Sequence, residues 1–173
     1  MIKLFSVIAI AFTGTIVSIY SLSVPAVDNT TISFQNYQNK KILIVNTASG
    51  SSQAGQLTEL QQLYLQHQDS MVVIAFPSNS FGNEPKTDAE LKTLMQDTFG
   101  ITFPIAKKSL VKGDSVNVIY QWLSHKTEND MTNGKVRGDF QKFLINSSGR
   151  IVASFDSATS PLSSVVQNAI NNN

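Results

Sequence analysis

The order of apolar and polar positions predicts a strand, a turn and a helix in the first half of the chain. Residues 42–45 form a continuous aliphatic run, which is typical of a central strand covered on both faces. Apolar side chains then recur at helical spacing (Leu57, Leu60, Tyr64) and predict an amphipathic helix that begins near Ser52 or Gln53. Residues 46–52 between them are small or polar. In an open α/β sheet, functional sites form at such turns.

The later pattern predicts a second buried strand, two helices, a hairpin and a terminal helix. Thr87-Asp-Ala-Glu90 is a capping box, and it opens a helix that ends at Gly100. Trp122 lies on the apolar face of the next helix, where we expect a core side chain. The remaining segments are the strand at 71–76, a loop at 124–134, hairpin strands at 140–145 and 151–155, and a terminal helix started by Ser160-Pro161.

The N-terminus has the layout of a secretory signal or an N-terminal anchor. Lys3 precedes an uncharged, mostly apolar segment at 4–17, which is shorter than the roughly 20 residues of a comfortable membrane span. Two alternating strands follow around Asp28-Asn29, within residues 18–34. To preserve that hairpin, we predict cleavage after Ser18, although the site itself is weak. The predicted domains are therefore a leader at 1–18 and one globular domain at 19–173, exported to a periplasm or secreted, or membrane-anchored if the leader is retained.

Composition narrows the chemistry. The chain has 173 residues, 42% hydrophobic content, a formal net charge of +1 and no cysteine. The missing thiols exclude disulfides, cysteine-ligated metals and thiol catalysis. His67 and His125 lie far apart in sequence, so we predict no metal site and no cofactor. Without a basic cluster, a nucleic-acid partner is not expected.

Two motifs resemble the glutathione peroxidase family. Val45-Asn-Thr-Ala-Ser-Gly-Ser-Ser resembles the family pattern V-N-x-A-S-x-C-G, in which the peroxidatic cysteine or selenocysteine corresponds to Ser51. Phe76-Pro-Ser-Asn-Ser-Phe-Gly-Asn-Glu-Pro85 resembles F-P-C-N-Q-F-G-x-x-E-P and is one residue shorter. Its cysteine corresponds to Ser78 and its catalytic glutamine to Ser80.

The resemblance implies a fold and an altered site. The fold would be α/β and thioredoxin-like, a central mixed sheet with an N-terminal β-hairpin and helices on both faces. The family's W-N-F motif falls on Gly138-Asp139-Phe140, so its catalytic tryptophan and asparagine are replaced too. Ser51, Ser80, Gly138 and Asp139 thus replace all four catalytic residues. The partners that the resemblance implies are a small thiol and a hydroperoxide; oligomeric state is left open.

Three interpretations follow from this pattern. The chain is a catalytically silent, exported relative that retains the fold for binding or a structural role. Alternatively, Ser51 acts as a hydrolytic nucleophile with Asp139, although neither histidine is near the motifs to complete a triad. In the third interpretation the protein is a thiol peroxidase in function, serving oxidant defence through a partner, as the resemblance implies.

Overall fold

A four-stranded mixed sheet forms the centre of the computed structural model, which describes residues 16–172. The strand order is β4-β3-β5-β6; β3 and β4 are parallel, and the other pairs are antiparallel. Two further strands form a separate hairpin. The strands are β1 (Ser23–Pro25), β2 (Thr31–Ser33), β3 (Lys41–Thr47), β4 (Met71–Pro77), β5 (Lys142–Ile145) and β6 (Ile151–Phe155).

Helices cover both faces of this sheet, as predicted. Side chains alternate along β3, so Leu43 and Val45 lie in one apolar core and Ile42 and Ile44 in the other. The Leu43 core contains side chains from α1, α2 and α5, whereas the other core contains α3. The helices are α1 (Gln56–His67), α2 (Asp88–Thr93), α3 (Val118–Ser124), α4 (Lys126–Asn129) and α5 (Ser164–Asn171). This arrangement confirms the thioredoxin-like α/β prediction.

The N-terminal hairpin turns where the sequence predicts. Val24 of β1 lies opposite Ile32 of β2, and Asn29 in the turn has a positive φ of 68°. The hairpin is joined to the main body by backbone hydrogen bonds, in which the Val27 amide donates to the Ile105 carbonyl at 3.0 Å. The hairpin is therefore part of the domain.

Four predicted features differ from the structure. The strand expected at 140–145 begins at Lys142, because Phe140 has a positive φ of 57° that a strand does not accommodate. The helix expected near Ser52 or Gln53 begins at Gln56, because residues 51–57 first form tight turns with bonds from residue i+3 to residue i. The terminal helix begins at Ser164, since Ser160-Pro161 forms a separate turn before it. The predicted loop at 124–134 contains the short helix α4, which ends at Asn129. The Asn129 side-chain oxygen accepts hydrogen bonds from the backbone amides of Met131 and Thr132.

The capping box and the buried tryptophan are where the sequence predicts. Thr87 and Glu90 exchange both capping hydrogen bonds at the start of α2. Trp122 is 2% exposed, and its indole Nε1 donates to the Val17 carbonyl at 2.7 Å. The predicted leader lies mostly outside the described residues. Within residues 16–172, none of the helices is long and apolar enough to cross a bilayer.

Candidate functional site

The turn that carries Ser51 is held by its own backbone amides. The Ser51 amide donates to the Ala48 carbonyl at 3.2 Å, and the Gly50 amide donates to the Asn83 carbonyl at 2.9 Å. The half-buried Ser51 hydroxyl accepts a hydrogen bond from the Gln53 amide at 3.3 Å. Amides at the end of a turn can bind an anion only while they are free to donate. Several donors of this turn are therefore already satisfied by the protein.

Glu84 also holds the turn that carries Ser51, through hydrogen bonds to Ser49. This fully buried carboxylate accepts from the Ser49 amide at 2.6 Å, from the Ser49 hydroxyl at 2.8 Å and from the Lys86 amide at 3.1 Å. Hydrogen bonds to a charged acceptor are among the stronger ones in proteins. Glu84 therefore joins the turn after β3 to the loop after β4, and so explains why both motifs lie side by side.

Gly50 shows how closely these two segments approach. A Cβ atom at position 50 would lie 2.8 Å from the Asn83 carbonyl oxygen, which is too close for any side chain without a backbone shift. Glycine at this position therefore permits the contact between the two motifs.

The Ser80 hydroxyl is engaged within its own loop region. It accepts from the Ser78 hydroxyl at 3.0 Å and from the Val111 amide at 3.0 Å. Ser78, at the position of the loop cysteine, is fully buried. Ser80 therefore stabilises the packing of the loop against residue 111.

Gly138 and Asp139 lie at the end of the segment that leads into β5. The Asn46 side chain donates to the Gly138 carbonyl at 2.9 Å, so this segment contacts the end of β3. Asp139 is 6% exposed; its Oδ2 accepts from the Asn83 side chain at 2.7 Å, whereas its Oδ1 has no described partner. Phe140 follows with a positive φ of 57°.

The structure thus brings together the segments that carry Ser51, Ser80, Gly138 and Asp139, but none of the described hydrogen bonds joins these four residues to one another. The described hydrogen bonds run from Gly50 to Asn83, from Asn83 to Asp139 and from Asn46 to Gly138. Among them, the Ser51 side chain contacts neither Ser80 nor Asp139. No base is therefore placed on the Ser51 hydroxyl, which a serine nucleophile needs.

The two histidines take part in separate local contacts. His67 Nε2 lies 3.0 Å from the Gln167 side-chain oxygen, and His125 Nδ1 lies 2.7 Å from the Gln121 carbonyl oxygen. Within residues 16–172, no group of three or more His, Asp or Glu side chains is placed to hold a metal ion.

Sequence reasoning missed a buried lysine near this region. Lys142 of β5 is fully buried, and its ammonium donates to the carbonyls of Ser157 and Thr159. Burial lowers the pKa of Lys142 to about 8, and the nearby Glu59 carboxylate partly opposes that shift. The signal that could have indicated it is a lysine on the same face of a predicted strand as Phe140 and Leu144.

The fold defines this chain as a thioredoxin-fold protein, and its strand-to-helix turn carries Ser51 where the sequence motif predicts the reactive thiol. The family model described as glutathione peroxidase matches residues 19–124. The chain therefore belongs to the glutathione peroxidase family.

Curated relatives and solved structures agree with this assignment. The chain is 37% identical to the glutathione peroxidase-like peroxiredoxin GPX3 of Candida albicans, over 83% of this chain and 87% of that protein. It is 33% identical to the glutathione peroxidase-like peroxiredoxin gpx1 of Schizosaccharomyces pombe, over 82% and 90%. The crystal structure of Trgpx in apo form matches with a TM-score of 0.68 and 28% identity, over 90% of this chain and 94% of that one.

Proposed function

We propose that this chain is a catalytically silent, exported member of the glutathione peroxidase family that retains the fold for binding or a structural role. One observation carries the proposal: position 51 holds a hydroxyl without an adjacent base, in a chain that has no cysteine. A serine cannot be oxidised by peroxide to a sulfenic acid and then reduced by a thiol. The family's catalytic cycle therefore has no reacting sulfur here.

The direct test is peroxide consumption by the purified full chain. We expect no reduction of hydrogen peroxide or of a lipid hydroperoxide above a no-protein control, with either glutathione or thioredoxin as the reductant. Metal removal and repeated purification exclude trace catalysts. Turnover that persists through both steps would contradict catalytic silence.

The relatives named peroxiredoxins support a second candidate, thiol peroxidase function that depends on a partner. In this case the isolated chain is inactive, but a thiol-containing partner supplies the reacting sulfur. Adding candidate partners to the same assay separates the two proposals. An activity that needs both proteins and exceeds that of the partner alone would favour the second.

Export is supported by the uncharged segment at 4–17 that follows Lys3. Its test is independent of the peroxidase assay: the full chain is expressed with its leader, and the exported protein is identified by intact mass. Protein found only inside the cell would contradict export while leaving catalytic silence unaffected.

A further inference from the structure

A groove beside the Ser80 loop combines an apolar lining with two lysines, Lys112 and Lys135. Its volume is about 490 Å³, within the range of small-molecule sites. The side chains that define it are three valines and three basic residues: Val111, Val116, Val136, Lys112, His125 and Lys135. Among the described residues, no aspartate or glutamate lines it. The groove therefore has an apolar surface beside two lysine side chains.

Glycines permit the backbone geometry on both sides of the groove. Gly113 has a positive φ of 95°, a conformation that other residues rarely adopt. A Cβ atom at Gly134 would lie 3.1 Å from the Leu123 carbonyl oxygen, so glycine lets the 133–136 segment pack closely against the end of α3. Both walls are thus part of the folded structure.

Contacts within the protein position the Lys112 and His125 side chains. The Lys112 ammonium lies 4.1 Å from the centre of the Phe81 ring, and the His125 ring is held by the Gln121 carbonyl. Among the described residues, neither Lys112 nor Lys135 has a carboxylate partner. Ammonium groups beside apolar surface attract an anionic group that is attached to an apolar body.

We propose that this groove binds an amphiphilic monocarboxylate, such as a medium-chain fatty acid, with its chain on the half-buried Val116 and Val136 and its carboxylate at Lys112 and Lys135. This inference rests on the binding role under the proposed function and assigns it a site and a ligand class. It requires no reaction, since binding alone uses the groove.

Calorimetric titration of the full chain with laurate tests the proposal. We expect laurate to bind, whereas methyl laurate lacks the charge and butyrate lacks the chain, so that each should bind at least about tenfold more weakly. Backbone amide NMR shifts should change at Val116, Gly134 and Val136. Equal binding of laurate and methyl laurate, or shifts confined to another cavity, would overturn the proposal.

Charge-removing variants sharpen the test. Lys112→Met and Lys135→Met should each weaken laurate binding by about tenfold, because each removes one charge-assisted hydrogen bond. Lys126→Met is the matched control: Lys126 is exposed beside His125 but does not line the groove. An equal loss in Lys126→Met would indicate unspecific charge attraction and contradict the assigned site. Urea unfolding checks that all three variants fold. Peroxide consumption by the wild type would contradict catalytic silence without affecting this binding result.

Discussion

Gly138, at the position predicted to match the family's catalytic tryptophan, packs closely against Ser157. A Cβ atom at this position would lie 2.6 Å from the Ser157 hydroxyl oxygen, so any larger residue must displace the Ser157 side chain. A single Gly138→Trp substitution therefore also disturbs Ser157.

Restoring the predicted catalytic residues is a sharp test of the proposed catalytic silence. Ser51→Cys alone should react slowly with peroxide: its thiol starts from a pKa of about 8.5, and several turn amides that could stabilise a thiolate already donate elsewhere. Adding Ser80→Gln, Gly138→Trp with Ser157→Gly, and Asp139→Asn should raise the rate by more than the separate changes together. The rate with peroxide and the pH dependence of alkylation measure both effects.

Ser52→Cys is the matched control for that series. Residue 52 is the exposed neighbour of Ser51, so its thiol should titrate as an ordinary exposed cysteine and should not respond to the other substitutions. A thiol pKa below neutral and rapid peroxide reduction in Ser51→Cys alone would show that the site is not degraded.

Lys142 predicts a pH dependence of stability. Its pKa in the fold is about 8, below the ordinary 10.5, so the unfolded chain binds this proton more tightly than the folded chain. The contribution of Lys142 to the free energy of unfolding should therefore increase as the pH rises from about 8 to 10.5. Urea unfolding at several pH values gives the free energy of unfolding of the wild type and of Lys142→Met, and the wild type should gain stability relative to Lys142→Met as the pH rises. The same comparison with the exposed-lysine variant Lys126→Met should give a difference that does not change with pH. A pH-independent difference for Lys142→Met would contradict the predicted role of Lys142.

Sequence patterns predicted those helices and strands whose signal lies within the segment itself. The strands at 41–47 and 71–77 follow from continuous apolar runs, and the start of α2 follows from a capping box. The predicted starts of α1 and α5 were wrong. A turn with hydrogen bonds from residue i+3 to residue i precedes each helix, and the spacing of apolar residues does not distinguish such a turn from the first turn of a helix. The site segments were located by their motifs, whereas the use of Glu84 and Asn83 to join them depends on contacts between residues distant in sequence.

The segment before the hairpin carries a prediction about processing. The Val17 amide donates to the Glu128 carbonyl at 2.9 Å, and its carbonyl is the acceptor of the buried Trp122 indole. Cleavage after Ser18, which the sequence favours, would remove this acceptor and cost about 1–3 kcal/mol if Nε1 were left unsatisfied. We therefore expect a chain that begins at Ile19 to be less stable in urea than one that begins at Ile16.

The intact mass of the exported chain shows at which residue it begins, and therefore whether the contacts of Val17 are retained. If a leader is removed, we propose that the exported chain still contains Val17. An exported chain that starts at Ile19 and is as stable as the longer one would show that the Val17 contacts are dispensable.

At the scale of the whole molecule, one sheet serves two cores. Ile42 and Ile44 lie in one core and Leu43 and Val45 in the other, so neither core can be lost while β3 remains ordered. We therefore predict one cooperative unfolding transition for the domain. Trp122 fluorescence reports one core and far-ultraviolet circular dichroism reports the helices; their urea curves should coincide. Two resolved calorimetric transitions would contradict this.

The segment at 104–109 covers part of the outer edge of β4 and so limits pairing with strands of other molecules. β4 is a fully buried apolar strand at the edge of the sheet, and such an edge can recruit a strand from another molecule. Here the Ala75 amide donates to the Pro104 carbonyl, while the Ala75 and Pro77 carbonyls accept from Ala106 and Ser109. The segment at 104–109 thus occupies the hydrogen-bonding positions that an incoming chain would use at the Ala75–Pro77 end of β4, and it protects that end for as long as the segment stays in place.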